Sequence, residues 1–214
     1  MNCDRIARLY RCFEYAAFGR ELERRRFHYL RDVDGARNVL MVGEGDGRFL
    51  ARFARVNPQS SIWYIDSSAR MLELARARAG KRGICYSLGD ALAMPLPNCG
   101  CDLVVTHFFL DCFNAEQQET VIARLANASS CDSKWLISEF RQPASGPAAA
   151  WARVWLRLLY CFFGVATHLR TRSLADHRPI LARYGFRLES EEISRFGLLT
   201  SELWARHSGP NAQL

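Results

Sequence analysis

Gly43, Gly45 and Gly47 stand at alternate positions in NVLMVGEGDGRFLARF (38–53), where an apolar run gives way to a helical pattern. Glycine in a strand-to-helix turn supplies backbone angles that other residues avoid, or lets a ligand approach closely. A helix that begins there also presents free N–H groups. Asp66 ends SIWYID, 19 residues beyond Gly47. A carboxylate at that spacing can accept hydrogen bonds from ribose hydroxyls; equally, Asp66 or Ser67 can cap the next helix. Asp90 follows in GDALAMPLP (89–97), and THFFLDCF (106–113) contains His107 and Asp111. The last two are side chains able to move a proton, or else a packed histidine and a helix-entry carboxylate.

The elements that position these residues alternate. Val39–Val42, Ser61–Ile65, Ile84–Leu88, Leu103–Thr106 and Lys134–Phe140 read as buried strands. Arg48–Val56, Ala69–Ala79 and Glu116–Ala126 read as helices between them. Such alternation predicts an α/β fold with a doubly wound, mostly parallel sheet, its ligands gathered at the carboxyl ends of the strands. Phe186–Ile193 and Leu198–Arg206, separated by a stretch that includes Gly197, predict an antiparallel hairpin that brings the sheet to seven strands. Ahead of the glycine turn, apolar residues at helical spacing over 4–31 predict one or two amphipathic helices broken near Gly19. We read a single domain over 1–214: an N-terminal helical cap (1–34), a core (35–140), a helical segment (141–184) and the hairpin (185–214).

Composition narrows the class. The N-terminal MNCDRIARLYRCFEY has no apolar core of the kind a secretory signal requires, and no uncharged run is long enough to span a membrane. Eight cysteines without a secretion signal predict a reduced, cytoplasmic protein. The close pair Cys99 and Cys101 lacks a second pair or nearby histidines, so no metal site is expected. The 29 basic residues against 22 acidic ones give a net charge of +7 and permit an anionic partner without requiring one.

Glycine turn and acidic residue together suit nicotinamide dehydrogenases and methyltransferases alike. Arg48 stands where the dinucleotide pattern GxGxxG places its last glycine, which favours the second. Over about residues 36–140 the chain resembles the class I S-adenosylmethionine-dependent methyltransferases, and among them the small-molecule enzymes of the ubiquinone and menaquinone group. The resemblance implies a Rossmann-like fold and S-adenosyl-L-methionine as cofactor, with S-adenosyl-L-homocysteine as product. It places Gly43, Glu44, Gly45, Asp46 and Gly47 against the methionine part of the cofactor. Asp66 and Ser67, within IDSSARMLELAR, would hold the ribose, with Met71 near the adenine and Asp90 and Ala91 at its edge. Thr106 would open into the active site. Glu44 occupies a position that is often cysteine or serine in the family.

A sulfonium methyl is already activated, so alignment and exclusion of water are the main demands, and His107 or Asp111 is needed only if the acceptor loses a proton. The amino-methyltransferase motif [DNS]PP[YF] is absent after Thr106, which weakens the case for a nucleic-acid substrate. WARVWLRLLYCFFGVATHL (151–169) is apolar around most of its circumference. By the resemblance, Trp151, Trp155, Leu159, Phe162 and Phe163 would close over a lipophilic or aromatic acceptor with Tyr10, Tyr15, Phe18 and Phe108. The same segment could be a buried helix, or rest at a membrane surface. The basic runs around His168 and around His177 and Arg178 could steer an anionic group or be solvated surface. The expectation is methyl transfer to O, C or N of an apolar small molecule. The alternatives are an RNA or protein methyltransferase, and a non-catalytic partner protein that keeps the cofactor site.

Overall fold

The structure is a computed structural model that describes residues 19–97, 100–141, 176–194 and 197–207. Tyr10, Tyr15, Phe18, Trp151, Trp155, Leu159, Phe162, Phe163 and His168, expected around an acceptor pocket or basic surface, lie outside the described residues, as does Cys99.

Five strands run parallel: β1 (Asn38–Val42), β2 (Ser61–Asp66), β3 (Ile84–Leu88), β4 (Cys101–His107) and β5 (Ser129–Phe140). β7 (Leu199–Arg206) lies antiparallel to β5, and β6 (Arg187–Ile193) antiparallel to β7. The resulting order, β3-β2-β1-β4-β5-β7-β6, is the doubly wound sheet with a C-terminal antiparallel closure that the pattern predicts. Five helices are described: α1 (Glu21–Phe27), α2 (Arg48–Val56), α3 (Ala69–Ala79), α4 (Ala115–Ala128) and α5 (Arg178–Arg183). None of the described helices is long and apolar enough to cross a membrane.

Alternate strand residues face opposite sides of a sheet, and each face here has its own core. Val39, Met41, Tyr64, Leu103 and Val105 pack under Phe49 and Phe53 of α2 and Leu72 of α3. Leu40, Val42, Ile65, Val104 and Trp135 pack under Val121, Ile122 and Leu125 of α4 and Leu181 of α5. Local chemistry sets the helix ends. Asn114 and Gln117 form a capping box on α4. Ser68 caps α3 by accepting from Met71 N–H at 3.2 Å, a role sequence reading gave to Asp66 or Ser67.

The fifth strand begins at Ser129 rather than Lys134. Its pairing shifts register between Cys101–Ser129 and Leu103–Lys134, and the extra residues bulge out. Arg206, at the end of β7, holds this bulge. Its guanidinium donates to the carbonyls of Ala126, Ser129 and Ser130, 76 or more residues away in sequence.

His177 is buried and Arg178 partly exposed, and carboxylates engage both of them. Glu202 of β7 is fully buried, its Oε2 2.8 Å from His177 Nε2 and 2.7 Å from the donating Trp204 Nε1. Arg178 donates to Glu202 Oε1 at 2.6 Å and to Glu191. Burial opposes the Glu202 charge, but these partners outweigh it and hold the carboxyl at about 2. A folded-state value below the ordinary 4.5 adds stability above that value, and the gain is lost as pH falls from about 4.5 towards 2. The stability advantage of the native chain over Glu202→Gln, measured by urea unfolding, should therefore be on the order of 3 kcal/mol larger at neutral pH than at pH 2. An advantage independent of pH would show that the charge contributes nothing.

Candidate active site at the crevice between β1 and β4

The chain winds outward from β1 to β3, then returns to lay β4 on the other side of β1. A crevice opens at the carboxyl ends of strands where order reverses in this way. The glycine turn enters it from β1 and residues 107–113 enter it from β4. Gly43, Gly45 and Gly47 have φ of 66°, 75° and 76°, the left-handed region that side chains disfavour. The need for glycine nonetheless differs among them. A Cβ on Gly43 would overlap the Phe109 ring. A Cβ on Gly47 would stand 2.6 Å from the Ala75 Cα, where α2 meets α3. One on Gly45 would meet nothing within 4 Å. Two of the three glycines thus answer to the protein's own packing, and Gly45 alone faces open space.

The turn is propped from below. Tyr64 donates its hydroxyl hydrogen to Gly45 O at 2.7 Å, and burial, then the neighbouring Glu44 and Asp66, raises its pKa well above the ordinary phenol value. Asp66 is 8% exposed; its Oδ2 accepts from Gly45 N–H at 3.3 Å and its Oδ1 from Ser68 N–H at 2.8 Å. Burial raises this carboxyl to about 6 against the pull of those two bonds. Asp66 and the glycine turn are therefore one unit. Asp46 turns elsewhere: Arg48 Nε and Arg78 Nη1 lie 2.9 and 2.8 Å from its carboxylate. Burial opposes its charge, but the two guanidinium groups prevail and keep the carboxyl below its usual range. Asp46 thereby ties the turn to α2 and α3. Ser67 is half-buried between Asp66 and the cap, and Met71 is buried at the start of α3. Beyond β3, Ala91 is buried, while Asp90 is exposed and accepts from Leu92 N–H at 2.9 Å.

Thr106 and His107 are consecutive on β4 and so point to opposite faces. Thr106 is fully buried, its hydroxyl oxygen accepting from Trp135 Nε1–H at 2.9 Å. His107 is 2% exposed, edge-on to Phe49, with Nδ1 3.2 Å from Glu44 Oε1. Burial lowers its pKa, and Glu44 works against that. Arg26 of α1 completes a buried polar cluster: its Nε is 3.6 Å from Glu44 Oε1 and its guanidinium lies 5.1 Å from the Phe108 ring centroid. Phe108 has φ +54°, the single non-glycine in the left-handed region among the described residues. That conformation costs an L-residue about 1–2 kcal/mol. Its N–H donates to Ser138 O at 2.6 Å, and its ring packs on Phe140 with centroids 5.3 Å apart. Strain of this kind concentrates at functional sites, because the surroundings must enforce it.

Sequence reading missed two participants. Glu139, at the end of β5, is 2% exposed and accepts through Oε1 from Phe109 N–H at 3.1 Å and Leu110 N–H at 2.8 Å, so it shapes the turn that carries Asp111. Its signal was an acidic residue closing the apolar run KWLISEF at the carboxyl end of a parallel strand. Arg26 had none, since a triple arginine in a short helix reads as solvated surface.

Comparison with known proteins gives this geometry its context. Residues 39–130 match a family described as the methyltransferase domain. The demethylmenaquinone methyltransferase of Deinococcus radiodurans is 32% identical over 123 residues, covering 56% of this chain and 50% of that protein. The chain spans about half the length of the curated relatives it matches. Among solved structures, the N-methyltransferase NodS from Bradyrhizobium japonicum, in complex with S-adenosyl-L-homocysteine, superimposes with a TM-score of 0.64 at 14% identity, covering 88% of this chain and 89% of that one. The cyclase SpnF does so with a TM-score of 0.63 at 16% identity, covering 88% and 81%. At such identities the likeness shows a shared fold.

Proposed function

We propose, from the match of residues 39–130 to a methyltransferase domain family, that the chain transfers a methyl group from S-adenosyl-L-methionine to an apolar or aromatic small molecule. The observation that carries this reading is the joining of Asp66 to Gly45, the one glycine of the turn whose outer face is open. The fit to the cofactor has a second support. Glu44 Oε2 is buried beside the turn with no hydrogen-bond partner among the described residues, and a carboxylate oxygen there would accept from an ammonium group.

In this reading Asp66 holds the ribose hydroxyls, Asp90 the adenine edge, and Gly45 and Glu44 the amino-acid end. When bound, the cofactor supplies a sulfonium methyl that needs only alignment with a nucleophile. His107, sealed beneath the turn, keeps Glu44 in place and does not meet the acceptor. Phe108 and Phe140 form an aromatic shelf beside the crevice, which favours a flat or lipophilic acceptor. A quinone-like ring is the class suggested by the demethylmenaquinone relative. The arginines nearest the turn are engaged by carboxylates, Arg26 by Glu44 and Arg48 and Arg78 by Asp46, which counts against a polyanionic substrate at this mouth.

Thermal unfolding with S-adenosylhomocysteine tests the reading, with NADH and NADPH as controls. Ligand at a hundredfold excess over Kd should stabilise by about 2.7 kcal/mol, roughly 5–10 °C, and the nicotinamides should do nothing. A shift with NADH alone would make this a dehydrogenase-type site. No shift with any of them would reject the cofactor assignment.

A further inference from the structure

Arg25 and Arg26, neighbours near the end of α1, enter the fold in different ways. The Arg25 carbonyl accepts from the Ser138 hydroxyl at 3.1 Å and from the Ser201 hydroxyl at 2.8 Å, so β5 and β7 pin the last turn of α1. That anchor carries Arg26 to the crevice. Its Nε lies 3.6 Å from Glu44 Oε1, and its guanidinium 5.1 Å from the centroid of the Phe108 ring. Both Arg26 and Glu44 are buried. Glu44 springs from the turn after β1, and its Oε1 is also 3.2 Å from Nδ1 of His107, the last residue of β4. Its side chain therefore crosses from one wall of the crevice to the other and forms part of the floor beneath a ligand of the turn. Arg26 and His107 both meet Oε1, whereas Oε2 has no hydrogen-bond partner among the described residues.

We propose that Arg26 is a positioning residue for the amino-acid end of the cofactor: it holds Glu44 as a charged carboxylate with Oε1 engaged, and so leaves Oε2 to accept from the cofactor's ammonium group. This rests on the methyltransferase reading. A buried carboxylate needs a cation, and one whose cation is removed is neutralised or turns to water; either ends its pairing with an ammonium group. An arginine suits the place because a guanidinium is planar, keeps its charge when buried, and can meet a carboxylate and an aromatic face at once. Arg26 does both, with Glu44 on the β1 side and Phe108 on the β4 side. Phe108 is the residue at φ +54°, so the same arginine packs on the strained point of the aromatic shelf. A carboxylate fixed before the ligand arrives is spared the cost of ordering on binding. The Arg26–Glu44 pair is neutral overall, as is an amino-acid end with one ammonium and one carboxylate, so binding adds no net charge to the floor.

Calorimetric titration of the full chain with S-adenosylhomocysteine and with its deaminated analogue, which lacks only the ammonium group, tests this. The native chain should prefer S-adenosylhomocysteine by about 10-fold or more, as expected of a hydrogen bond between charged groups. Glu44→Gln and Arg26→Gln should each reduce that preference several-fold while binding the deaminated analogue as the native chain does. The double variant Arg26→Gln/Glu44→Gln, which strands no buried charge, should match Glu44→Gln alone, because Arg26 acts through Glu44. A merely structural Arg26 would weaken both ligands alike, and a native preference retained in Arg26→Gln would overturn the proposal. Should Arg26→Gln fail to fold, the double variant decides: a preference weaker than that of Glu44→Gln would show that Arg26 does not act through Glu44. Equal affinity of the native chain for the two ligands would overturn the roles of Glu44 and Arg26 and leave the cofactor assignment standing. No binding of S-adenosylhomocysteine to the native chain would overturn the methyltransferase reading, and this inference with it.

Discussion

Gly47→Ala should lower the unfolding temperature by roughly 5–20 °C, whereas Gly45→Ala should cost only a fraction of that. Both positions lie in the left-handed region, with φ of 76° and 75°. A side chain there costs about 1–2 kcal/mol in either case. At Gly47 the added carbon also stands 2.6 Å from the Ala75 Cα and nearly as close to its Cβ, so α2 and α3 must separate. Overpacking of that kind adds about 1–3 kcal/mol, for a total of about 2–5 kcal/mol. A chain of this size loses about 2–4 °C per kcal/mol. Gly45 has open space instead, so its alanine variant should stay folded and lose affinity for S-adenosylhomocysteine, because the methyl group occupies the ligand's side of the turn. Calorimetric unfolding and ligand titration on both variants read the two effects separately. Equal loss of stability would mean that Gly45 is packed after all, and unchanged affinity in Gly45→Ala would remove the turn from the cofactor site.

Asp66→Ala should weaken S-adenosylhomocysteine binding about 10- to 150-fold, corresponding to the roughly 1.5–3 kcal/mol carried by a hydrogen bond to a charged group. The loss has two parts. In the proposed site the ribose loses its acceptor, and Gly45 N–H loses the oxygen that fixes the turn at 3.3 Å. The free variant should suffer less than its burial suggests. A carboxyl raised to about 6 from 3.8 is less favourable to ionise in the folded chain than in the unfolded one. Its contribution is therefore largest at low pH and is lost as pH rises from about 4 through 6. At pH 7.5 removal of the charge relieves that penalty while breaking two backbone bonds. Isothermal titration at pH 7.5 is the measurement, and native-like affinity would show that Asp66 neither holds the ribose nor fixes the turn for binding.

Much of the candidate site was legible in the sequence. The alternation of apolar runs with helical patterns, the three glycines and the carboxylate at the end of the second strand are local features. Each is fixed by the conformational limits of a few adjacent residues, and each predicted its element without knowledge of the rest. The C-terminal hairpin was visible for the same reason. Glycine type, however, did not reveal why glycine is needed. Gly43 and Gly47 answer to Phe109 and Ala75, contacts made only when β4 and α3 are in place.

Pairing across the sheet belonged to the tertiary structure. The sequence shows Thr106 and His107 side by side, yet the pleat sends one to Trp135 in the α4 core and the other to Glu44 beneath the glycine turn. It shows Arg178 as a basic surface residue, although β7 brings the buried Glu202 against it. Nor does it show which groups Glu139 and Arg26 meet, because their partners lie on other elements of the fold. The sequence by itself determined the order of elements and the place of the glycine turn, since period and glycine chemistry act over a few residues. Only the tertiary structure decided which charges are buried and which are paired, since those depend on strand register and on energies that exist only once water has been excluded.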